Sequence, residues 1–314
     1  MKLILKALSE NQLELELGDI VSPLTKQLSL DDNQLESLEL CCNTYKNVRN
    51  QLNSTNTLMS IGSTLFKLLN EHAGLMTRWL NVYGPLQLDI LATYNPNRLQ
   101  HLLLSLPWEI MLDNNNNYLS ARPQLYEVVR RPEHDNSAVP IAQFKDLTLA
   151  FMAADPDTKS ALNYESEEAA IIRATRRAKN LNLWVDGSGN LDNLTQRISD
   201  SGHCDMVHIS CHGSYDDELG FVLHMEDNSY GTQTITPTDF QNLAPKIQCL
   251  FLSACHSAET TDRPSFAWQL TQQGIPNVIG WDGAVADDDA TIFAAEVYSS
   301  LLTSSSVPRA CATA

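Results

Sequence analysis

The chain has 314 residues, of which 43% are hydrophobic, and this excludes a wholly disordered protein. Thirty-eight acidic residues against 21 basic ones give a net charge of −17, which argues against nucleic acid, itself a polyanion, as a partner. The sequence contains no run of 18 apolar residues, so no membrane-spanning segment is predicted. Seven cysteines, an odd number, together with the lack of an export signal, predict reduced thiols and a cytoplasmic location.

The chain is predicted to divide into two parts near residue 140. Residues 133–146 are polar, contain a proline and lack the periodicity of a helix or a strand, which is typical of a linker. We therefore predict a smaller amino-terminal region of mixed α/β structure over residues 1–140 and a second domain over residues 141–314.

Both secondary-structure periods occur in the amino-terminal region. Leucine alternates with polar residues over residues 11–17, and apolar residues alternate again over residues 86–90, which predicts two strands. Between them, apolar residues recur every three or four positions over residues 35–52 and 58–75. This spacing predicts two amphipathic helices.

The second part alternates strands with helices. The predicted strands lie at residues 147–152, 181–185, 206–210, 249–252 and 277–280, and the predicted helices at residues 165–179, 191–198, 266–273 and 289–302. Such alternation requires crossover connections. It predicts a mostly parallel sheet that is covered by helices on both faces.

Two of the predicted strands end in residues with reactive side chains. Residues 206–213 read Met-Val-His-Ile-Ser-Cys-His-Gly, and residues 249–256 read Cys-Leu-Phe-Leu-Ser-Ala-Cys-His. Because sites form at the carboxyl ends of strands in open parallel sheets, His212 and Cys255 are predicted to meet in space. A neighbouring imidazole favours the thiolate, which is the nucleophilic form of cysteine. Gly213 leaves its backbone N–H uncovered, which suits an oxyanion donor.

The same region also invites a metal-binding interpretation, since five ligand-type residues cluster there: His203, Cys204, His208, Cys211 and His212. On one face of a strand, however, His208 and His212 would stand about 13 Å apart, which is too far to share an ion. The cysteine spacing also fits no zinc finger. We therefore interpret Cys204, Cys211 and Cys249 as packed core thiols.

In this pattern the chain resembles the caspase-like (clan CD) cysteine peptidases, the group that holds caspases, metacaspases, gingipain and separase. Four segments are similar in order and spacing to CHAT domains in particular: Leu106-Pro107-Trp108-Glu109, Cys211-His212-Gly213, Leu252-Ser253-Ala254-Cys255 and Val278-Ile279-Gly280. The resemblance covers roughly residues 85–314. It implies an α/β fold with a caspase-like, mostly parallel sheet flanked by helices.

The resemblance also implies roles for individual residues. Cys255 would be the nucleophile, His212 the general base and acid, and the backbone N–H groups of Gly213 and Cys255 the oxyanion donors, with a thioester intermediate. It implies neither a cofactor nor a metal. The chain departs from the family at His256, where an acidic residue often follows the nucleophile, and the role of this second imidazole is open.

Asp287 is open to two interpretations. In separases, a Val-x-Asp after the fifth strand pairs with an arginine at P1, the substrate residue before the cleaved bond, and Val285-Ala286-Asp287 lies at the corresponding place. The resemblance thus implies a pocket for a basic P1 side chain. Equally, Asp287, Asp288 and Asp289 fit the cap and first turn of a helix, where the macrodipole favours acids. Trp108 and Glu109 are expected to be structural.

The implied function is a cysteine endopeptidase that cuts a protein partner in a regulated pathway, such as prokaryotic defence or a process similar to cell death. A regulatory module or activator is expected in the same or another chain. The residues from Val307 onward resemble an interrupted helix start, so the chain is expected to be part of a longer protein. The alternatives are a catalytically silent protein-docking module and a hydrolase of small esters or amides.

Overall fold

The computed structural model describes residues 1–18, 23–51, 54–70, 74–81, 84–133, 147–156, 162–229, 231–303 and 306–314. The chain forms two compact units, Met1–Asn136 and Ser137–Ala314. The predicted boundary at residue 140 lies outside the described residues. So do Leu52 and His72, which belong to the apolar faces of the two predicted amphipathic helices.

The amino-terminal unit combines helices with a five-stranded sheet. Along the chain its elements are β1 (Lys2–Ala7), β2 (Gln12–Leu17), β3 (Leu24–Ser29), α1 (Asp32–Val48), α2 (Thr55–Asn70), α3 (Leu75–Leu80), β4 (Leu86–Ala92), α4 (Arg98–Ser105) and β5 (Tyr126–Pro132). The strand order is β3-β2-β1-β4-β5, in which β1 pairs antiparallel with β2 and parallel with β4. This unit is therefore mixed α/β, as predicted.

The predictions for this unit are confirmed for β2, β4, α1 and the start of α2. The prediction of one helix through Leu75 is wrong, because α2 ends at Asn70 and α3 begins a new helix at Leu75. Gly74 precedes α3 with a φ of +61°, a left-handed conformation that glycine adopts readily and that continuous helix excludes. β1, β3, β5 and α4 were not predicted.

Trp108 and Glu109 have structural contacts within this unit. The Trp108 ring is buried, and its Nε1–H donates to the Leu103 carbonyl oxygen at 2.8 Å. The Glu109 carboxylate pairs with Arg130 at 2.6 Å, and Arg130 also donates to the Leu104 carbonyl oxygen at 2.9 Å. The Leu-Pro-Trp-Glu segment is thereby tied to β5.

The second unit is built around the predicted parallel sheet. Its elements are β6 (Leu147–Ala154), α5 (Tyr164–Thr175), β7 (Leu181–Asp186), α6 (Leu191–Ser201), β8 (Met206–Asp216), β9 (Gly220–Glu226), β10 (Thr232–Ile235), β11 (Cys249–Ser253), α7 (Phe266–Gln272), β12 (Asn277–Ile279), α8 (Asp287–Leu301) and α9 (Val307–Thr313). The strands β7, β6, β8, β11 and β12 lie side by side and are all parallel.

Helices cover both faces of this parallel sheet. On one face, alternate residues of β6, β8 and β11 pack against α6 and α7 in a cluster that includes Val207, Leu194 and Phe266. On the other face, the intervening residues pack against α5, α8 and α9 in a cluster that includes Phe251 and Tyr298. The predicted fold class, an α/β fold with a mostly parallel sheet flanked by helices, is confirmed.

β8 is longer than predicted. The sequence pattern ends the strand at Ser210, but β8 continues to Asp216. Its first part pairs in parallel with β6 and β11, and from His212 onward it pairs antiparallel with β9, with His212 opposite His224. His212 therefore lies within the strand, where its pairing changes, and not beyond the strand end. Among the described residues, no helix combines the length and apolar character that crossing a membrane requires.

Candidate active site

Three neighbouring strands each bring one polar residue to the same end of the parallel sheet. Asp155 directly follows β6, His212 lies on β8, and Cys255 comes two residues after β11. The register pairs the residue before Asp155 with the residue before His212, and it pairs the residues two positions before Cys255 and His212 with each other. The three residues therefore lie on or just beyond adjacent strands at the same end of the sheet.

His212 and Cys255 line one cleft, so the structure brings the predicted pair together. The cleft has a volume of about 70 Å³, room for only a few water molecules. Its other lining residues are Leu162, Asn163, Tyr164, Glu167, Ser210, Cys211, Gly213, Ser253, Val285, Asp287, Ala290 and Thr291. Both Gly213 and Asp287, the other predicted site residues, are among them.

The Cys255 thiol lies between the end of β11 and the segment that leads into α8. The Val285 N–H donates to Cys255 Sγ at 3.4 Å, and Sγ lies 3.7 Å from the Val285 carbonyl oxygen. Cys255 is partly exposed. The chain turns sharply after it, since His256 has a left-handed φ of +64°, which few non-glycine residues adopt, and its N–H donates to the Gly283 carbonyl oxygen at 2.8 Å.

The side chain of His256 is partly exposed and contacts two neighbours. Its Nδ1 contacts the Glu259 carboxylate, and its ring lies edge-on to Tyr215 with the ring centroids 6.2 Å apart. Tyr215 belongs to β8, three residues beyond His212. The His256 ring therefore connects the turn after Cys255 to β8, the strand that carries His212.

Asp155 is a site residue that the sequence analysis missed. Its Oδ1 lies 3.7 Å from His212 Nε2, and its Oδ2 accepts the Leu162 N–H at 3.1 Å. Within the described part of the chain, the buried Oδ1 atom accepts no hydrogen bond. His212 Nε2 lies just beyond hydrogen-bond range of this oxygen, and a small shift would bring the two within it.

Gly213 is fixed by packing. A Cβ atom at this position would lie 2.3 Å from the ring of Phe221 on β9, so any larger residue would displace the ring. Glycine at this position therefore allows the close packing of the hairpin of β8 and β9.

Asp287 is the first residue of α8. The cap position belongs to Ala286, which makes no side-chain capping bond, so the capping interpretation is wrong, whereas the placement of Asp287, Asp288 and Asp289 in the first turn is confirmed. Asp287 is exposed and lines the cleft, and its Oδ2 accepts the Asn163 N–H at 3.3 Å.

Glu167, from α5, places a second carboxylate at the cleft, and sequence analysis missed it too. The residue is 4% exposed; its Oε1 accepts the Ser253 Oγ–H at 2.7 Å and lies 3.3 Å from His208 Nε2. His208 Nδ1 in turn lies 2.9 Å from the Tyr298 hydroxyl. Burial raises the pKa of Glu167, but the His208 imidazole and the hydroxyls of Ser253 and Ser210 outweigh it and hold the pKa below its ordinary value. Glu167 therefore contributes an ionised carboxylate to the lining of the cleft, with the His208 imidazole beside it.

Comparison with known proteins identifies the family. The family model described as the CHAT domain matches residues 98–314, which is more than half of the chain. The chain belongs to the CHAT domain family. The resemblance to CHAT domains that the sequence motifs showed is therefore confirmed. Among curated proteins, no sequence matches this one.

Two solved structures are similar to this CHAT domain protein. One is the crystal structure of the Arg-specific cysteine proteinase gingipain R, at 13% identity and a TM-score of 0.45, with 79% of this chain and 57% of that chain covered. The other is a complex of the pro- and mature domains of RgpB from Porphyromonas gingivalis, at 14% identity and a TM-score of 0.43, with 86% and 67% covered. The chain spans less than two thirds of the first of these.

Three other cysteines of the second unit differ from Cys255. Cys204, Cys211 and Cys249 are fully buried, so their interpretation as core thiols is confirmed. Burial raises the pKa of Cys204 to about 11 and also raises the pKa values of Cys211 and Cys249. Such thiols are poor nucleophiles. Among the described residues, no group of three or more His, Cys, Asp and Glu side chains is placed to hold a metal ion.

Proposed function

We propose that this CHAT domain protein is a cysteine endopeptidase that hydrolyses peptide bonds of a protein partner. One observation carries the proposal: His212 and a partly exposed cysteine, Cys255, line the same cleft, while Cys211 beside them is buried. A thiol that must meet substrate has to be accessible, and its base has to be near.

The proposed reaction proceeds through a thioester. The Cys255 thiol transfers its proton to His212, and the sulfur attacks the carbonyl carbon of the scissile bond. The backbone N–H groups of Gly213 and Cys255 stabilise the oxyanion. His212 then protonates the leaving amine, and the thioester forms. Water, deprotonated by His212, hydrolyses it and releases the second product. No cofactor and no metal takes part.

Asp155 is proposed as the residue that orients the imidazole. With Nε2 of His212 facing the Asp155 carboxylate, the other ring nitrogen, Nδ1, is assigned to exchange protons with the thiol. The carboxylate also stabilises the imidazolium that forms when the thiol loses its proton. This role does not require Asp155 to change its own protonation state.

We further propose that the enzyme prefers a basic P1 residue. The two carboxylates of Asp287 and Glu167 line the cleft, and no Lys or Arg is among its described lining residues. A guanidinium pairs with a carboxylate through two hydrogen bonds, which favours arginine over lysine. The net charge of −17 would also draw a basic segment of the partner towards the enzyme.

Regulation in a cytoplasmic pathway, such as prokaryotic defence or a process similar to cell death, is part of the same proposal. A cleft of about 70 Å³ admits little, which favours an activator, in the same or another chain, that opens it.

The test is digestion of a peptide library varied at P1, with and without candidate activators. The wild type is expected to cleave, and Cys255→Ala and His212→Ala are expected not to. Binding of a partner without cleavage in any condition would favour the docking module instead. For the P1 preference, Asp287→Asn and Glu167→Gln should weaken selection for arginine, whereas the exposed Asp289→Asn serves as the matched control. An apolar preference unchanged by these substitutions overturns the basic pocket and leaves the peptidase standing.

A further inference from the structure

The backbone N–H of Asp155 is bound by a carboxylate from another strand, that of Glu226. The Asp155 N–H donates to Glu226 Oε1 at 3.2 Å. Glu226 is the last residue of β9, the strand that pairs with β8 from His212 onward. One hairpin therefore carries both His212 and the group that fixes Asp155.

Glu226 is itself pinned to the start of α6. Its N–H donates to the Gly189 carbonyl oxygen at 3.0 Å, and its carbonyl oxygen accepts the Asn190 Nδ2–H at 2.7 Å. Asn190 is 2% exposed, and its Oδ1 accepts the Asn193 N–H at 3.0 Å, which caps α6. The position of Glu226 is thus set by buried groups and by a helix terminus.

Gly189 gives independent evidence for the position of the Glu226 side chain, because the carboxylate occupies the space that a side chain at residue 189 would fill. A Cβ atom at Gly189 would lie 1.0 Å from Glu226 Oε2, and Gly189 has a left-handed φ of +61°. Any other residue at this position would push the carboxylate away from Asp155. Burial and the nearby Asp155 carboxylate raise the pKa of Glu226, so the close approach of the two acids carries a cost.

We propose that Glu226 is a positioning residue for the reaction, which acts through Asp155. Glu226 fixes the backbone of Asp155 and so keeps Asp155 Oδ1 directed at His212 Nε2. The imidazole thereby stays aligned with the Cys255 thiol. The inference rests on the proposed peptidase function. It adds Glu226 to the residues that determine the rate of peptide cleavage, and Gly189 as the residue that leaves room for the Glu226 carboxylate.

The test compares Glu226 with Asp205, a matched carboxylate. Asp205 Oδ2 accepts the Thr148 N–H at 2.7 Å, so it also holds β6, but near the opposite end of that strand. Glu226→Ala is expected to lower kcat about 10- to 100-fold with little change in KM, the size expected for misaligned reacting groups. Glu226→Gln retains an oxygen that accepts the Asp155 N–H and should restore most of the rate. Asp205→Ala should leave kcat unchanged.

Gly189→Ala tests the same proposal without changing any charge. It should reproduce the loss in kcat of Glu226→Ala, and the double variant should lose no more than either single variant, because both act on one contact. Should Gly189→Ala fail to fold, the Glu226 series alone decides. Equal kcat in Glu226→Ala and the wild type, or an equal loss in Asp205→Ala, overturns the inference.

A second readout separates this inference from the peptidase proposal. The rate at which iodoacetamide alkylates Cys255 depends on the imidazole beside the thiol and needs no peptide turnover. Slower alkylation in Glu226→Ala and His212→Ala, with recovery in Glu226→Gln, supports the positioning role even in a protein that cleaves no peptide. Alkylation that is the same in all four proteins contradicts it.

Discussion

The two sheets of the molecule differ in how their buried carboxylates are paired. In the amino-terminal sheet, the buried carboxylate of Asp89 pairs with Lys2 at 3.1 Å and with Arg131 at 3.2 Å, and both basic side chains are partly exposed. In the parallel sheet, helices cover both faces, and the carboxylate of Glu167 pairs with His208, which is fully buried. A partner that reaches water can re-solvate when the pair breaks, whereas an enclosed partner cannot. The parallel sheet therefore holds polar groups in fixed positions, as a reactive site requires.

The largest effect is expected where the parallel sheet brings His212 and Cys255 together. Cys255→Ala should reduce peptide cleavage by about 10³-fold or more, and His212→Ala should match it, because a nucleophile and its base act as a unit. The unfolding free energy should change by about 1 kcal/mol or less in Cys255→Ala, since the thiol is partly exposed. Cleavage kinetics and urea unfolding measure the two quantities.

The matched control for this prediction is Cys211→Ala. Cys211 is adjacent to His212 but is 2% exposed. Its removal should cost about 1–2 kcal/mol of stability and leave cleavage in place. Full activity in Cys255→Ala would contradict the assignment of the nucleophile.

The comparison of the two buried acids predicts the next effect. Glu167→Ala leaves His208 enclosed without its carboxylate and should cost about 3–5 kcal/mol of unfolding free energy. Asp89→Ala should cost less, about 1–3 kcal/mol, because Lys2 and Arg131 can turn towards water. Urea unfolding of the two variants checks the order, and a larger loss in Asp89→Ala would refute the comparison.

Much of the fold was predictable because both faces of the parallel sheet are buried. β6 and β11 are nearly continuous apolar runs, and such runs are easily recognised in a sequence. The hairpin of β8 and β9 was missed because the polar residues from His212 onward end the apolar pattern while the strand continues. β1 was missed because its six residues, Lys-Leu-Ile-Leu-Lys-Ala, form only a short apolar run with no period of two.

The site was predictable in part for a similar reason. His212 and Cys255 each directly follow an apolar run in a recognisable motif, so sequence alone singles them out, although β8 itself continues past His212. Asp155 had a weaker signal: it is an acid that directly follows an apolar strand, and only the strand order places it beside His212. Glu167 lies four residues before Ile171, an inward residue of α5, so helical spacing places it on the buried face, but neighbouring acids make it look exposed.

The ionisation of Glu167 predicts how stability depends on pH. Because its pKa in the folded protein is held below its ordinary value of 4.5, Glu167 stabilises the fold above that pH and loses its contribution as the pH falls through the lowered pKa. Glu167→Gln binds no proton there, so its unfolding free energy should fall less steeply between about pH 5 and about pH 3. Urea midpoints across this range measure the slope.

The control for the pH prediction is Glu296, an exposed residue of α8. Glu296→Gln should follow the wild type throughout the range. Parallel slopes in wild type and Glu167→Gln would show that this carboxylate does not link folding to pH.

The smallest effects are expected at two helix caps, one in each unit. Asp31 caps α1 through a 2.8 Å bond from the Gln34 N–H and is exposed, so Asp31→Ala should cost about 1 kcal/mol and leave cleavage unchanged. Asn190 caps α6 and also binds the Glu226 carbonyl oxygen, so Asn190→Ala should cost about 2 kcal/mol and slow cleavage as well. Thermal unfolding with parallel activity assays sharpens the comparison; equal activity in both variants would contradict it.

The central claim is that Cys255 is a nucleophile activated by His212, and intact-mass analysis after treatment with a peptidyl electrophile tests it most directly. The wild type is expected to gain one label, located at Cys255, while Cys255→Ala and His212→Ala gain none. The buried Cys211 should stay unmodified in all three proteins. A wild type that stays unlabelled even with its partner or activator present, or labelling at Cys255 that persists in His212→Ala, would contradict the claim.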